Sequence, residues 1–177
     1  KKSVAGHYGG ATYMKVDIVD DEPILRALFK TVIESSGYEV DCFNDAEDYI
    51  SYANSDEYVP PSIALVTDIC MPGKSGYELI DQIRKSHPNQ KVVVITGTPK
   101  EFVDTETNAC FYLQKPVSPK KLVAVLELLS TCTSTGNTDM SPRCKALNDL
   151  DSFNIENWEC YLKTKKRPVN KIQTRQI

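Results

Sequence analysis

The chain has 177 residues, of which 41% are hydrophobic and 25% charged, and its formal net charge is −3. That is enough apolar material for one domain with appendages, and no run approaches the roughly 18 apolar residues of a membrane-spanning helix. The start lacks the apolar stretch of a signal peptide, so the expected setting is the cytoplasm, with no membrane partner.

The charge is unevenly spread. Residues 14–131 carry 11 Lys+Arg against 19 Asp+Glu, whereas residues 132–177 carry 8 against 5. An acidic body with a basic tail describes the chain better than its total does. The six cysteines, Cys42, Cys70, Cys110, Cys132, Cys144 and Cys160, form no CxxC pair, and the two histidines, His7 and His87, are far apart. A zinc site is therefore not expected, and the thiols read as reduced and mostly buried.

Residues 1–13 are poor in large aliphatics and read as a leader or an added remnant, with Met14 as a natural start. Lys15 to Val19 is a short strand ending in Asp20-Asp21-Glu22-Pro23, where acids and a proline signal a helix start. Ile24, Leu25, Leu28, Phe29, Val32 and Ile33 then recur at helical spacing, which makes one face apolar, and Gly37 stops the helix. Tyr38 to Phe43 alternates as a second strand. Asn44 or Asp45 caps a second helix running to about Ser55.

Beyond a loop with two prolines comes the apolar run Ile63-Ala64-Leu65-Val66, which ends in Thr67-Asp68 before a Met71-Pro72-Gly73 turn. Such a run bounded by turn residues suits a fully buried strand. Lys74 to Ser86 is a third helix, and Lys91 to Ile95 a further apolar strand ending in Thr96-Gly97. From Thr98 to Asn108 the pattern weakens, and only a short or irregular fourth helix is expected. Cys110 to Leu113 is a fifth strand, followed by Gln114-Lys115-Pro116. Ser118-Pro119 opens a last helix with a broad apolar face that includes Leu122, Val125, Leu126 and Leu129. Residues 132–142 read as a polar linker, and 143–177 as a basic tail with short helices, Phe153 and Trp158 among its apolar members.

Strand and helix thus alternate five times, which argues for an α/β domain over residues 14–131, with a parallel sheet covered on both faces. In a parallel sheet the strand ends share one edge, so Asp20, Asp21, Asp68, Thr96 and Lys115 would gather there. Packed carboxylates repel unless a cation intervenes, and Mg²⁺ is a hard ion that takes such oxygen ligands. A carboxylate can also act as a nucleophile and form an aspartyl phosphate. A metal ion, a lysine and a hydroxyl would neutralise the transferring group. Taken singly, each residue has a plainer role: Asp20-Asp21 as helix caps, Asp68 as a turn residue, Thr96 as a strand-end threonine, Lys115 as a surface lysine, Tyr112 as core.

Val19-Asp20-Asp21-Glu22-Pro23, Asp68-Ile69-Cys70-Met71-Pro72-Gly73, Thr96 and Tyr112-Leu113-Gln114-Lys115-Pro116 together resemble the receiver domain of two-component response regulators, the CheY-like family. The resemblance covers about residues 14–131. It implies a doubly wound five-stranded flavodoxin-like (βα)5 fold and a phosphorylation-controlled switch rather than a turnover enzyme. It implies Asp68 as the residue phosphorylated by a histidine kinase or phosphotransfer protein, and Mg²⁺ as cofactor on Asp21, Asp68 and, through water, Asp20. It further implies the Cys70 backbone carbonyl as a ligand, Lys115 as the partner of phosphoryl oxygens and a cis Pro116. Thr96 and Tyr112 would be the switch pair.

The chain departs from the family pattern in places. Thr96 to Lys115 spans fewer residues than the family usually has, and the weak fourth helix puts the usual homodimer face in doubt. Gly97 makes the loop after Thr96 looser, while Thr98 and Cys70 flank the site and bear on phosphate lifetime. Two other readings compete. One is a DNA-binding response regulator cut short after the linker, its basic tail from Lys163 onward touching nucleic acid. The other is an Asp-nucleophile, Mg²⁺-dependent phosphatase of the haloacid-dehalogenase type, which would want Asp-x-Asp after the first strand rather than Asp20-Asp21.

Overall fold

Short apolar strands that alternate with amphipathic helices bury best as a sheet between two helical layers, and the chain does this. The computed structural model describes residues 14–99, 103, 109–132, 140–149, 160 and 162. Its strands are β1 (Lys15–Val19), β2 (Glu39–Phe43), β3 (Ala64–Thr67), β4 (Val92–Thr96) and β5 (Phe111–Gln114). They pair in parallel in the order β2-β1-β3-β4-β5. The helices are α1 (Pro23–Ser35), α2 (Ala46–Ala53), α3 (Gly76–Ser86), α4 (Pro119–Ser130) and α5 (Met140–Asp149). The expected short helix before β5 falls on residues 100–108, of which only Val103, a buried residue, is described.

The two faces of the sheet carry separate cores. Val16, Ile18, Val66, Ile95 and Leu113 pack with Phe29 and Ile33 of α1 and Leu122, Leu126 and Leu129 of α4. On the other side, Val19, Leu65, Val94 and Tyr112 pack with Tyr49 and Ile50 of α2 and Leu79, Ile80 and Ile83 of α3. Because strand side chains alternate between faces, burial on both sides gives β1, β3 and β4 fully buried profiles. The edge strand β2 instead alternates, with Glu39 exposed and Val40 buried.

The element ends have local causes. In α3, Ser75 and Glu78 form a capping box: Glu78 N–H donates to Ser75 Oγ at 3.3 Å, and Ser75 N–H donates to Glu78 Oε2 at 2.9 Å. Asp45, rather than Asn44, caps α2 through its bond from Asp48 N–H. Gly37 follows α1 at φ 90°, a conformation glycine takes without a Cβ penalty.

Two expectations need correction. Ile24 and Leu28 belong to the apolar stripe of α1, yet they are 82% and 48% exposed because they lie off the Leu25, Phe29 and Ile33 edge that packs on the core. The thiols are not mostly buried: Cys110 and Cys144 are buried, Cys42, Cys132 and Cys160 are intermediate, and Cys70 is exposed.

β1 also holds a charged centre. Asp17 is fully buried in mid-strand, and its carboxylate accepts from Tyr49 Oη at 3.0 Å and lies 3.2 Å from Lys15 Nζ. Lys15 Nζ reaches Asp41 of β2 at 2.8 Å and donates to Tyr52 Oη at 3.2 Å. Tyr49 and Tyr58 share a hydroxyl–hydroxyl bond at 3.3 Å. After α4, helix α5 lays Cys144 on the α1/α4 core, and Lys121 Nζ donates to the Leu147 carbonyl at 2.5 Å. Phe153, Trp158 and the basic run from Lys163 lie outside the described residues. No helix among the described residues is long and apolar enough to cross a membrane.

Candidate functional site

The strand order reverses direction at β1, whose neighbours are β2 and β3, and ligand crevices of open α/β sheets form at such switch points, outside the strands' carboxyl ends. Val19 is in register with Thr67, so the next residues, Asp20 and Asp68, emerge side by side. Asp68 N–H donates to the Val19 carbonyl at 3.0 Å, which fixes the spacing. Oxygens of Asp20, Asp21 and Asp68 all lie within 4.8 Å of one another. Asp20 and Asp68 are buried and Asp21 is partly exposed.

Lys115 reaches this cluster from the far end of the sheet. Its Nζ lies 2.6 Å from Asp68 Oδ2, 3.1 Å from Asp20 Oδ2 and 3.0 Å from Glu22 Oε1. Its peptide bond to Pro116 is cis. Burial works against the ammonium charge, but the bonds to Asp68, Glu22 and Asp20 outweigh it and hold the pKa above the ordinary lysine value. Burial pushes the Asp20 carboxyl upward, against the pull of Glu22 N–H and Lys115 and with the push of the Asp68 charge. Three carboxylates and one lysine leave an excess of negative charge, and hard oxygen donors this close together suit a divalent cation such as Mg²⁺.

The loops around the cluster are bonded in detail. Asp68 Oδ1 accepts from Cys70 N–H at 3.1 Å, and Asp20 Oδ1 from Glu22 N–H at 2.8 Å. The Arg26 guanidinium donates to the Asp20 carbonyl. Thr96 is buried, and its Oγ1 bonds Thr98 Oγ1 and accepts from Thr98 N–H, both at 3.1 Å. Thr98 Oγ1 in turn bonds Cys70 Sγ at 3.1 Å. Tyr112 is buried in the α2/α3-side core.

The model of the response regulator receiver domain matches residues 16–127. The chain belongs to the response regulator receiver family. Residues 16–127 are thus a receiver domain rather than a classical enzyme domain. A curated relative, the transcriptional regulatory protein AruR of Pseudomonas aeruginosa, is 27% identical over 146 residues, which are 80% of this chain and 59% of that protein. The chain thus spans about three-fifths of that relative's length. The receiver fold recurs in the response regulator TrrA of Thermotoga maritima in complex with Mg²⁺–BeF: 29% identity, TM-score 0.57, covering 65% of this chain and 97% of that one. A receiver protein from Pseudomonas putida is similar at 25% identity and TM-score 0.58, covering 67% and 98%.

The receiver fold therefore brings together Asp20, Asp21, Asp68 and Lys115, with Thr96 bonded through Thr98 to Cys70 nearby. Sequence reasoning passed over three residues here. Glu22 supplies a third carboxylate to Lys115, visible only once the first turn of α1 is in place. Gln114 Nε2 donates to the carbonyls of Thr96 and Thr98 at 3.4 and 3.2 Å. Gly76 sits so close to Asp68 that a Cβ there would fall 2.0 Å from the Asp68 carbonyl oxygen. Its place directly after the capping residue Ser75 was the available signal.

Proposed function

We propose that this receiver accepts a phosphoryl group on Asp68 from the phosphohistidine of a sensor kinase or phosphotransfer protein and passes the change of state to a partner or to the tail. The observation that carries the reading is the contact of Asp68 Oδ2 with Lys115 Nζ at 2.6 Å beside the Asp20–Asp21 pair. An Asp68 carboxylate oxygen attacks phosphorus, the P–N bond breaks, and its electron pair stays with the imidazole nitrogen, which takes up a proton. Lys115 neutralises phosphoryl oxygens as they arrive. Asp21 and Asp68 would hold Mg²⁺, with Asp20 reaching it through water and the Cys70 carbonyl as a further ligand. Bound there, it would supply positive charge to offset the phosphoryl oxygens. Thr96 then turns its hydroxyl to the phosphoryl group, and the Tyr112 side chain follows the space this opens or closes.

We take residues 14–131 as the receiver, 132–142 as linker and 143–177 as tail, with α5 beginning at Met140 inside the linker span. Incubation with acetyl phosphate and Mg²⁺ should add one phosphoryl group by intact mass, and Asp68→Asn should not gain it. An unmodified parent protein overturns the reading. The relative named a transcriptional regulatory protein keeps a nucleic-acid output in view for the basic tail. A salt-dependent shift with duplex DNA that disappears on deleting Lys163 to Ile177 supports that output.

A further inference from the structure

Residues 96–98, where the chain leaves β4, are tied by a set of hydrogen bonds. Gly97, the central one, is exposed, and a Cβ built there would meet nothing within 4 Å. What fixes the loop is the last residue of β5. Gln114 lies in register with Thr96, and its Nε2 donates to the Thr96 carbonyl at 3.4 Å and the Thr98 carbonyl at 3.2 Å. Both acceptors are carbonyls, so only the amide nitrogen can serve, and the orientation of the carboxamide follows from its partners. Lys115 N–H donates to the same Thr96 carbonyl at 2.8 Å.

With its ends tied in this way, the loop engages the Thr96 hydroxyl within itself. Thr96 Oγ1 accepts from Thr98 N–H and shares a bond with Thr98 Oγ1, while Thr98 Oγ1 also reaches Cys70 Sγ. A hydroxyl has one proton to donate. For Thr96 to donate it to a phosphoryl oxygen on Asp68, the proton must leave Thr98 Oγ1, and the Thr98 carbonyl is held by Gln114.

We propose that Gln114 is a positioning residue: its carboxamide latches residues 96–98 in the conformation in which Thr98 holds Thr96, and release of that latch accompanies the turn of Thr96 toward Asp68. The proposal rests on the reading of Asp68 as phosphoacceptor. It makes the residue just before Lys115 a setting for the balance between two loop states. Stabilising the latched state lowers affinity for anything that needs the other state.

The test is titration calorimetry of the full chain with beryllofluoride in excess Mg²⁺, with urea midpoints measured alongside. Gln114→Met keeps the side-chain length and removes both donors, and Gln114→Leu serves as a second variant. Loss of the latch should make beryllofluoride bind about three- to tenfold more tightly to either variant, the ratio expected if the two long bonds together count for one ordinary hydrogen bond. In a Thr96→Val background there is no hydroxyl to hold, and Gln114→Met should leave the affinity unchanged. A packing role alone would lower the urea midpoint equally in both backgrounds and produce no such coupling. Binding by the parent protein that Gln114→Met and Gln114→Leu leave unaltered, or alter equally with and without the Thr96 hydroxyl, overturns the latch alone. A parent protein that does not bind overturns the reading of Asp68 and the latch with it.

Discussion

Lys115 Nζ lies 2.6 Å from Asp68 Oδ2, although the strands that deliver them, β5 and β3, are separated in the sheet by β4. The long lysine side chain spans that gap and ends among three carboxylates, those of Asp68, Asp20 and Glu22. Lys115 thus occupies the same negative site that a divalent ion would, and the two compete for oxygens. Lys115→Met should therefore tighten Mg²⁺ binding, by about fivefold for a loss of roughly 1 kcal/mol of competing charge-assisted bonding. The same variant should weaken Mg²⁺-dependent beryllofluoride binding by about tenfold or more, because a cation facing the phosphoryl oxygens is gone. Calorimetry of both titrations checks the two directions. A variant that loses affinity for Mg²⁺ alone would contradict the competition.

The start of α3 presses on the backbone that carries Asp68. Gly76 N–H donates to the Ile69 carbonyl at 2.9 Å, and a Cβ on Gly76 would fall 2.0 Å from Asp68 O and 3.0 Å from Ile69 Cα. These are backbone atoms and cannot give way as a flexible side chain can. Gly76→Ala should cost about 1–3 kcal/mol, the usual range for overpacking, and should weaken Mg²⁺ binding because Asp68 moves with its backbone. Ser75→Ala is the contrast. It breaks the capping box for about 1 kcal/mol but leaves Asp68 where it is, so Mg²⁺ affinity should hold. Urea midpoints and Mg²⁺ titrations on both variants separate the effects. Equal Mg²⁺ affinity in Gly76→Ala and parent would remove the claimed link.

How much of this was readable beforehand depends on the kind of residue. Asp20, Asp68 and Thr96 each close a strand, so the parallel topology alone gathers them, and the buried runs of β3 and β4 announce that topology. Glu22 and Gln114 work through bonds that exist only after α1 and β5 are in place, and neither residue type is unusual at its position. Periodicity marks which side of α1 is apolar but not how much of it is covered, so Ile24 and Leu28 looked like core and are exposed. Strand alternation puts Lys15 and Asp17 on the α2/α3 side of β1, but the tyrosines that meet them come from distant segments. Tyr112 reads as apolar strand in the sequence, and its inward position is a property of the packed core.

The Asp17 centre predicts an unusual pH dependence. Asp17 is faced by Lys15 of β1, Asp41 of β2, Tyr49 of α2 and, behind Tyr49, Tyr58. Burial raises its carboxyl to about 6, against the opposing pull of Lys15 and Tyr49. The folded protein therefore holds this proton more tightly than the unfolded chain, whose carboxyl stays near the ordinary 3.8. The contribution to stability is fully present below the unfolded value and is lost as pH rises through about 6. A difference of this size corresponds to roughly 2–3 kcal/mol. Asp17→Asn removes the group and its slope, and Lys15 keeps Asp41 at 2.8 Å. Relative to the parent, Asp17→Asn should gain stability between pH 4 and pH 7. Urea unfolding of both proteins across that range measures it, and parallel curves would sink the account.

Cysteine exposure gives a last and independent check on how the site loops sit. Cys70 is exposed and lies two residues past Asp68, its Sγ bonded to Thr98 Oγ1 at 3.1 Å. Cys110 and Cys144 are buried, Cys110 at the foot of β5 and Cys144 against the α1/α4 core. Thiol reagents need access to sulfur, so brief treatment of the native protein with a maleimide should modify Cys70 first, with Cys42, Cys132 and Cys160 slower. Cys110 and Cys144 should stay unmodified until urea unfolds the chain. Mass mapping of the labelled peptides reads the order, and Cys70→Ser should remove the fastest phase. Mg²⁺ with beryllofluoride, bound at Asp68, should slow Cys70 and leave the rate at Cys42 unchanged, because only the former shares a loop with Asp68. Native-state labelling of Cys110 or Cys144 at the rate of Cys70 would show that the core around β5 and α4 opens far more readily than its packing implies.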